Sequence, residues 1–73
     1  MFYYLNQNVK YLRKSRKMTQ PELAEMLNIS TSSLNNFEGG QKNTSLEVLD
    51  KLRNIFNISL DNLIYKDLSK GEI

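Results

Sequence analysis

The side chains best placed to do chemistry in this chain lie in residues 28–40, NISTSSLNNFEGG. Leu34 and Phe37 recur there at helical spacing, while Ser30, Thr31, Ser32, Ser33, Asn35 and Asn36 fill the positions around them. Hydroxyls and carboxamides donate and accept hydrogen bonds, but they attack a substrate only when a neighbouring base activates them. The chain has no His and no Cys, which removes the commonest general base, the commonest metal ligand and any thiolate. Glu22 and Glu25 fall about one helical turn apart, yet two carboxylates without metal ligands beside them read as a cap and a surface charge. No nucleophile–base pair can be nominated, so neither an enzyme nor a cofactor is expected. What remains is recognition by hydrogen bonding. Ser, Thr and Asn are poor helix formers because their side chains compete for the backbone, so a helix built from them carries a polar face kept for something other than stability.

That face must be held by a small scaffold. Seventy-three residues with 40% hydrophobic and 25% charged side chains fit one domain near the lower limit of a single core. No apolar run approaches the roughly 20 residues needed to cross a bilayer, and no signal-peptide pattern opens the chain. A cytoplasmic setting is expected, in keeping with the absence of Cys.

The periodicity predicts five helices and no sheet. Leu5, Val9, Leu12 and Arg16 follow a first helical stripe. Thr19-Gln20-Pro21-Glu22 carries a capping box with Pro in the first turn, opening a second helix with Leu23, Ala24 and Leu27 inward. Asn28 tolerates the left-handed turn that follows. Ser30 then caps a third helix that ends at Gly39-Gly40. Thr44-Ser45-Leu46-Glu47 repeats the capping-box pattern before a fourth stripe of Leu46, Leu49, Leu52, Ile55 and Phe56, and Ser59 caps a fifth with Leu60, Leu63 and Ile64. The expected domain is residues 1–66, with 67–73 a short frayed tail.

Two short helices joined by Leu27-Asn28-Ile29-Ser30 make a helix-turn-helix candidate: Ala24 is small where the second helix packs close, and Leu23, Ile29, Leu34 and Phe37 are apolar anchors. Here the sequence resembles the phage repressor and Cro-type helix-turn-helix family, often called XRE. The resemblance rests on N8-V-K-Y-L-R13, T19-Q-P-E-L-A24, L27-N-I-S30, L34, F37-E38-x-G40, S45-L-E-V-L49 and N57-I-S-L-D-N-L63, covering roughly residues 5–65. It implies an all-α, compact five-helix, lambda-repressor-like domain whose third helix enters the major groove of double-stranded DNA. It also implies a role for each matched position. Thr31, Ser32 and Asn36 would face base edges. Gln20, with the amides of its helix N-terminus, would bond a phosphate, and Asn35 the groove wall or a phosphate. Lys42 and Asn43 would contact the backbone on the other side. Arg13 and Glu38 would form an internal salt bridge between the first and third helices. Relatives often carry Gly where this chain has Lys17 and Asn28.

On that reading the odd composition has an account. Asn can bond adenine N6 and N7 together, and a Thr methyl can meet the thymine methyl. No Arg or Lys lies between Asn28 and Gln41, so the usual guanine reader is missing and the contacted positions of an operator should lean towards A·T. Basic charge gathers elsewhere. Residues 1–21 hold Lys10, Arg13, Lys14, Arg16 and Lys17 with no acid, on a chain of formal net charge +2. Lys10 reads as a solvated face, while Lys14 and Lys17 suit a phosphate contact as well as a solvated face; Lys14 is carried as a candidate backbone contact. A palindromic operator and a homodimer follow from the family pattern, with half-sites about 34 Å apart. Tyr65 and the Phe2-Tyr3-Tyr4 cluster fit packing over the ends of the core better than base stacking or a dimer seal, and the last helix, with Tyr65 and Leu68 spare, and the aromatic N-terminus are the places to seek an interface. The rival reading is a protein-interaction module that keeps the fold without binding DNA.

Overall fold

In the computed structural model, which describes residues 3–41 and 44–71, the chain forms five α-helices in sequence: α1 (Leu5–Ser15), α2 (Gln20–Leu27), α3 (Thr31–Glu38), α4 (Leu46–Phe56) and α5 (Leu60–Tyr65). No strand occurs among the described residues. A short 3-10 turn, Leu68–Lys70, follows α5.

Local chemistry sets where each helix starts. Thr19, Ser30, Ser45 and Ser59 adopt extended backbone at the N-caps of α2 to α5, and each side-chain oxygen accepts an N–H from the third residue of its helix. Only Thr19 completes a reciprocal box, its own N–H donating to Glu22 Oε1 at 2.7 Å. The fourth helix departs from expectation. Its cap is Ser45 and not Thr44, and Leu46 points outward with 81% exposure. The buried stripe of α4 therefore runs through Val48, Leu49, Leu52 and Phe56. Asn28 and Asn57 end α2 and α4 in the left-handed conformation, φ 58° and 49°, as their short polar side chains permit. Lys17 also sits at positive φ (56°) between α1 and α2.

The core joins one stripe from every helix: Leu5 and Val9, Leu23 and Leu27, Leu34 and Phe37, Leu49 and Leu52, and Leu63. Each fully buried Leu contributes about 2 kcal/mol by leaving water. Met18 packs partly against this cluster, whereas Met26 is 51% exposed and fills no core position.

Helix ends carry the second layer of cohesion. The last carbonyls of a helix have no partner within it, and here side chains from other helices supply one. Lys51 reaches Leu27 O at the end of α2, and Asn6 donates to Phe37 O at the end of α3 at 2.7 Å. The Arg16 guanidinium lies over the Phe56 ring and donates to Ile55 O and Phe56 O, closing α4. Asn8, fully buried, donates through Nδ2 to Leu63 O (2.7 Å) and Lys66 O (2.6 Å) and accepts Leu68 N–H through Oδ1 (3.1 Å).

That last bond corrects the expectation of a frayed tail. Asp67 and Leu68 are buried, Leu68 belongs to the core cluster, and Asp67 caps the 3-10 turn through its bonds to Ser69. Leu68 is thus engaged by the core and is not a spare apolar residue for an interface.

Candidate nucleic-acid interface

The polar segment around Leu34 and Phe37 forms α3, with both of those side chains in the core. Its spacing then dictates the opposite face. Thr31, Ser32 and Asn35 are exposed and Asn36 is half-buried. The side chains of Thr31, Ser32 and Asn36 make no hydrogen bond among the described residues, which leaves their donors and acceptors available. Ser30 and Ser33 are occupied with each other and with the cap, Oγ to Oγ at 2.9 Å.

The α2–α3 angle comes from the turn between them. Asn28 at positive φ lets Ile29 N–H reach back to Ala24 O at 3.0 Å, so the chain reverses within a few residues. Ala24, 2% exposed, is small where the two helices meet.

A polar clamp holds the C-terminal half of α3. Arg13 grips Glu38 with two bonds, Nε to Oε2 at 2.8 Å and Nη2 to Oε1 at 3.1 Å, and its Nη1 donates to Met18 O. Both side chains are withdrawn from water, where a planar guanidinium suits a carboxylate best. Gln20, at the start of α2, extends the clamp: its Nε2 donates to Glu38 Oε1 at 3.1 Å and to Asn35 Oδ1 at 3.2 Å. Asn6 completes it at Phe37 O.

This geometry reshapes what Gln20 has to offer. Both hydrogens of its amide point at α3, so its side chain has no free donor for an outside anion. Pro21 has no N–H and the Thr19 hydroxyl takes that of Glu22, leaving the Gln20 main-chain N–H as the open donor in this turn among the described residues. Lys14 is exposed on α1 and unpaired among the described residues. Lys42 and Asn43 lie outside the described residues. Two contributors escaped the sequence reading. Asn6 carries no pattern that marks it, but Asn8 falls three residues after Leu5 and beside Val9 on the buried stripe, and a polar residue at a core-facing position is itself a signal.

A helix-turn-helix family model matches residues 9–63. The chain belongs to this XRE-type helix-turn-helix family. Among its relatives, the HTH-type transcriptional regulator ImmR of Bacillus subtilis is 38% identical over 63 residues, spanning 86% of this chain and 50% of ImmR. The immunity repressor protein of Bacillus phage phi105 is 35% identical over 60 residues, spanning 82% of this chain and 42% of the phage protein. The chain thus spans about half the length of the curated relatives it matches. The crystal structure of the restriction-modification controller protein C.AhdI from Aeromonas hydrophila superposes with a TM-score of 0.73 at 27% identity, covering 85% of this chain and 94% of that one. The all-α, five-helix helix-turn-helix architecture expected from the sequence is the one found. No helix among the described residues is long and apolar enough to cross a membrane.

Proposed function

We propose that this chain is a sequence-specific double-stranded DNA-binding module of a transcriptional regulator, acting as a repressor by placing α3 in the major groove. The observation that carries the reading is the outward face of α3. Thr31, Ser32 and Asn36 keep their hydrogen-bonding groups open while Leu34, Phe37 and the Arg13–Glu38 pair hold the helix rigidly from behind. A reader of base edges needs that combination of free polar groups and a fixed mount. The transcriptional regulators and phage repressor among the relatives support the same reading.

Thr31, Ser32 and Asn36 contact bases, with A·T favoured because α3 brings no Arg or Lys to guanine. Asn35, Lys14, Lys42, Asn43 and the Gln20 main-chain N–H contact the sugar-phosphate side, where charge and amide donors supply affinity without sequence information. A homodimer on a palindromic operator would add a second half-site. The module works in the cytoplasm and performs no catalysis.

Selection of bound duplexes from a random pool, followed by salt-titrated mobility shifts, tests the proposal. Asn36→Ala should cost about 1–3 kcal/mol at one base position. Lys42→Ala should weaken every sequence alike and lower the salt slope by about one. An interaction module that merely keeps the fold would show no salt-dependent retention of any duplex, and an invariant G-rich selected core would overturn the A·T assignment.

A further inference from the structure

We infer that Lys17, in the turn between α1 and α2, contacts the sugar-phosphate backbone of bound DNA and is kept there at a cost in backbone strain. The inference rests on the reading of α3 as the groove helix.

Lys17 occupies the position that closes α1. Its N–H bonds Lys14 O and the Met18 N–H bonds Arg13 O, both at 3.0 Å, the paired closure that sets the residue between in the left-handed region. Glycine suits that position because it has no Cβ to clash, and asparagine tolerates it. Among the described residues, four that are not glycine hold positive φ: Tyr3, Lys17, Asn28 and Asn57. Two are asparagines, and the Tyr3 ring meets that of Tyr65. Lys17, at φ 56°, has an exposed side chain that makes no hydrogen bond, ion pair or ring contact among the described residues. Strain with no contact to offset it points to a use outside the fold.

Charge inside the chain gives Lys17 no reason either. Residues 10–21 carry Lys10, Arg13, Lys14, Arg16 and Lys17 and no acid. Arg13 is matched by Glu38, and Arg16 is engaged at the end of α4. The helix dipole favours a cation at the end of α1, but Arg13 and Lys14 already stand in its last turn, and one more like charge adds repulsion. An anion from outside balances it, and the place of the turn selects a DNA phosphate. The Arg13 guanidinium donates to Met18 O at 2.8 Å while it grips Glu38 of α3, so the turn and the groove helix share one rigid frame. Lys17 stands three residues before Gln20, whose open main-chain N–H serves the sugar-phosphate side. A strand that meets the start of α2 runs within reach of a flexible lysine stem, and a compact ammonium takes a phosphate with little demand on geometry. Such a contact adds affinity and no sequence preference.

Salt-titrated mobility shifts test this, with a duplex recovered by selection and a scrambled control. The full chain is compared with Lys17→Gln, Lys17→Arg, Lys17→Gly and Lys10→Gln, and thermal unfolding checks that each variant folds. Lys17→Gln should weaken both duplexes alike and lower the salt slope by about 0.9. Its loss of affinity between about 50 and 200 mM salt should then be about 3.5-fold smaller than the parent's. Lys17→Arg should keep the parent slope, since the charge remains. Lys17→Gly should bind as weakly as Lys17→Gln yet melt higher than the parent, because glycine relieves the backbone. A variant that is more stable and binds less separates a DNA contact from a loss of fold. Lys10 is also exposed and unpaired among the described residues but lies within α1, so Lys10→Gln should leave the slope at the parent's value. A Lys17→Gln variant with the parent's slope and affinity, or equal slope losses from Lys10→Gln and Lys17→Gln, overturns the inference alone. Failure of the unmodified chain to retain any duplex overturns the groove reading, and this inference with it.

Discussion

Asn8 illustrates how much one polar side chain can carry in a domain this small. Its carboxamide serves Leu63 O, Lys66 O and Leu68 N–H at once, in a site closed to water. Replacing it would leave buried backbone groups without partners, each costing about 1–3 kcal/mol. Asn8→Ala should therefore lower stability by about 3 kcal/mol in urea or thermal unfolding, a large share of the total for 73 residues. Arg13 and Glu38 act in the same manner at the other end of α1. Their pairing adds little net stability by itself, because two charges had to leave water, but it fixes the position of α3 relative to α1.

Helix starts and turns can be tested as elements. The Thr19 main-chain N–H, and after it the Thr19 hydroxyl, hold the exposed Glu22 carboxyl below its ordinary value of 4.5. A carboxyl depressed in the folded state stabilises above its unfolded value and loses that contribution as pH falls through its folded value. Glu22→Gln keeps an oxygen for the Thr19 N–H but does not titrate. The parent should melt higher than Glu22→Gln at pH 6, and the gap should close below pH 4.5. The α1–α2 turn makes a second case. Lys17 holds φ 56° and Asn28 φ 58°, but a left-handed backbone is less costly for Asn than for Lys. Lys17→Gly should raise stability by about 0.5–1 kcal/mol, net of the extra freedom glycine has when unfolded, and Asn28→Gly by less. Differential scanning calorimetry of the two variants measures the order directly.

At the scale of the molecule, packing continues past the last α-helix. Leu68 enters the core and Asn8 takes its N–H, so the end of the chain seals α1 against α5. Leu68→Ala should cost about 2–3 kcal/mol, and truncation after Lys66 should cost more, since it also frees the Asn8 acceptor; a tail that merely frayed would show no change in either midpoint. Three exposed tyrosines, Tyr3, Tyr4 and Tyr65, gather where the start of α1 meets α5. Tyr3 and Tyr65 meet with ring planes tilted by 49° and centroids 5.1 Å apart, yet remain 67% and 55% exposed, while Tyr4 N–H bonds Ile64 O. Neither ring joins the core cluster, and Tyr65 is the open aromatic position on α5 for an interface.

The five helices were legible in the sequence because their signals are local. Caps such as Thr19, Ser30 and Ser59, the left-handed Asn28 and the apolar stripes act over three or four residues, within reach of sequence spacing. The outward polar face of α3 was legible for the same reason: placing Leu34 and Phe37 inward leaves Thr31, Ser32, Asn35 and Asn36 outward. At the start of α4 the local signal misled, because Thr44 and Ser45 are both good caps and shifting the start by one residue turned Leu46 out of the core. Tertiary structure alone decided which side chain closes the ends of α2 to α5. Lys51, Asn6, Arg16 and Asn8 reach carbonyls 24, 31, 39 and 55 residues away, and nothing local to either partner marks such a bond. The setting of Asn35 belongs to that second class: the residue types are written in the sequence, but only folding brings the Gln20 amide between the Glu38 carboxylate and the Asn35 carboxamide.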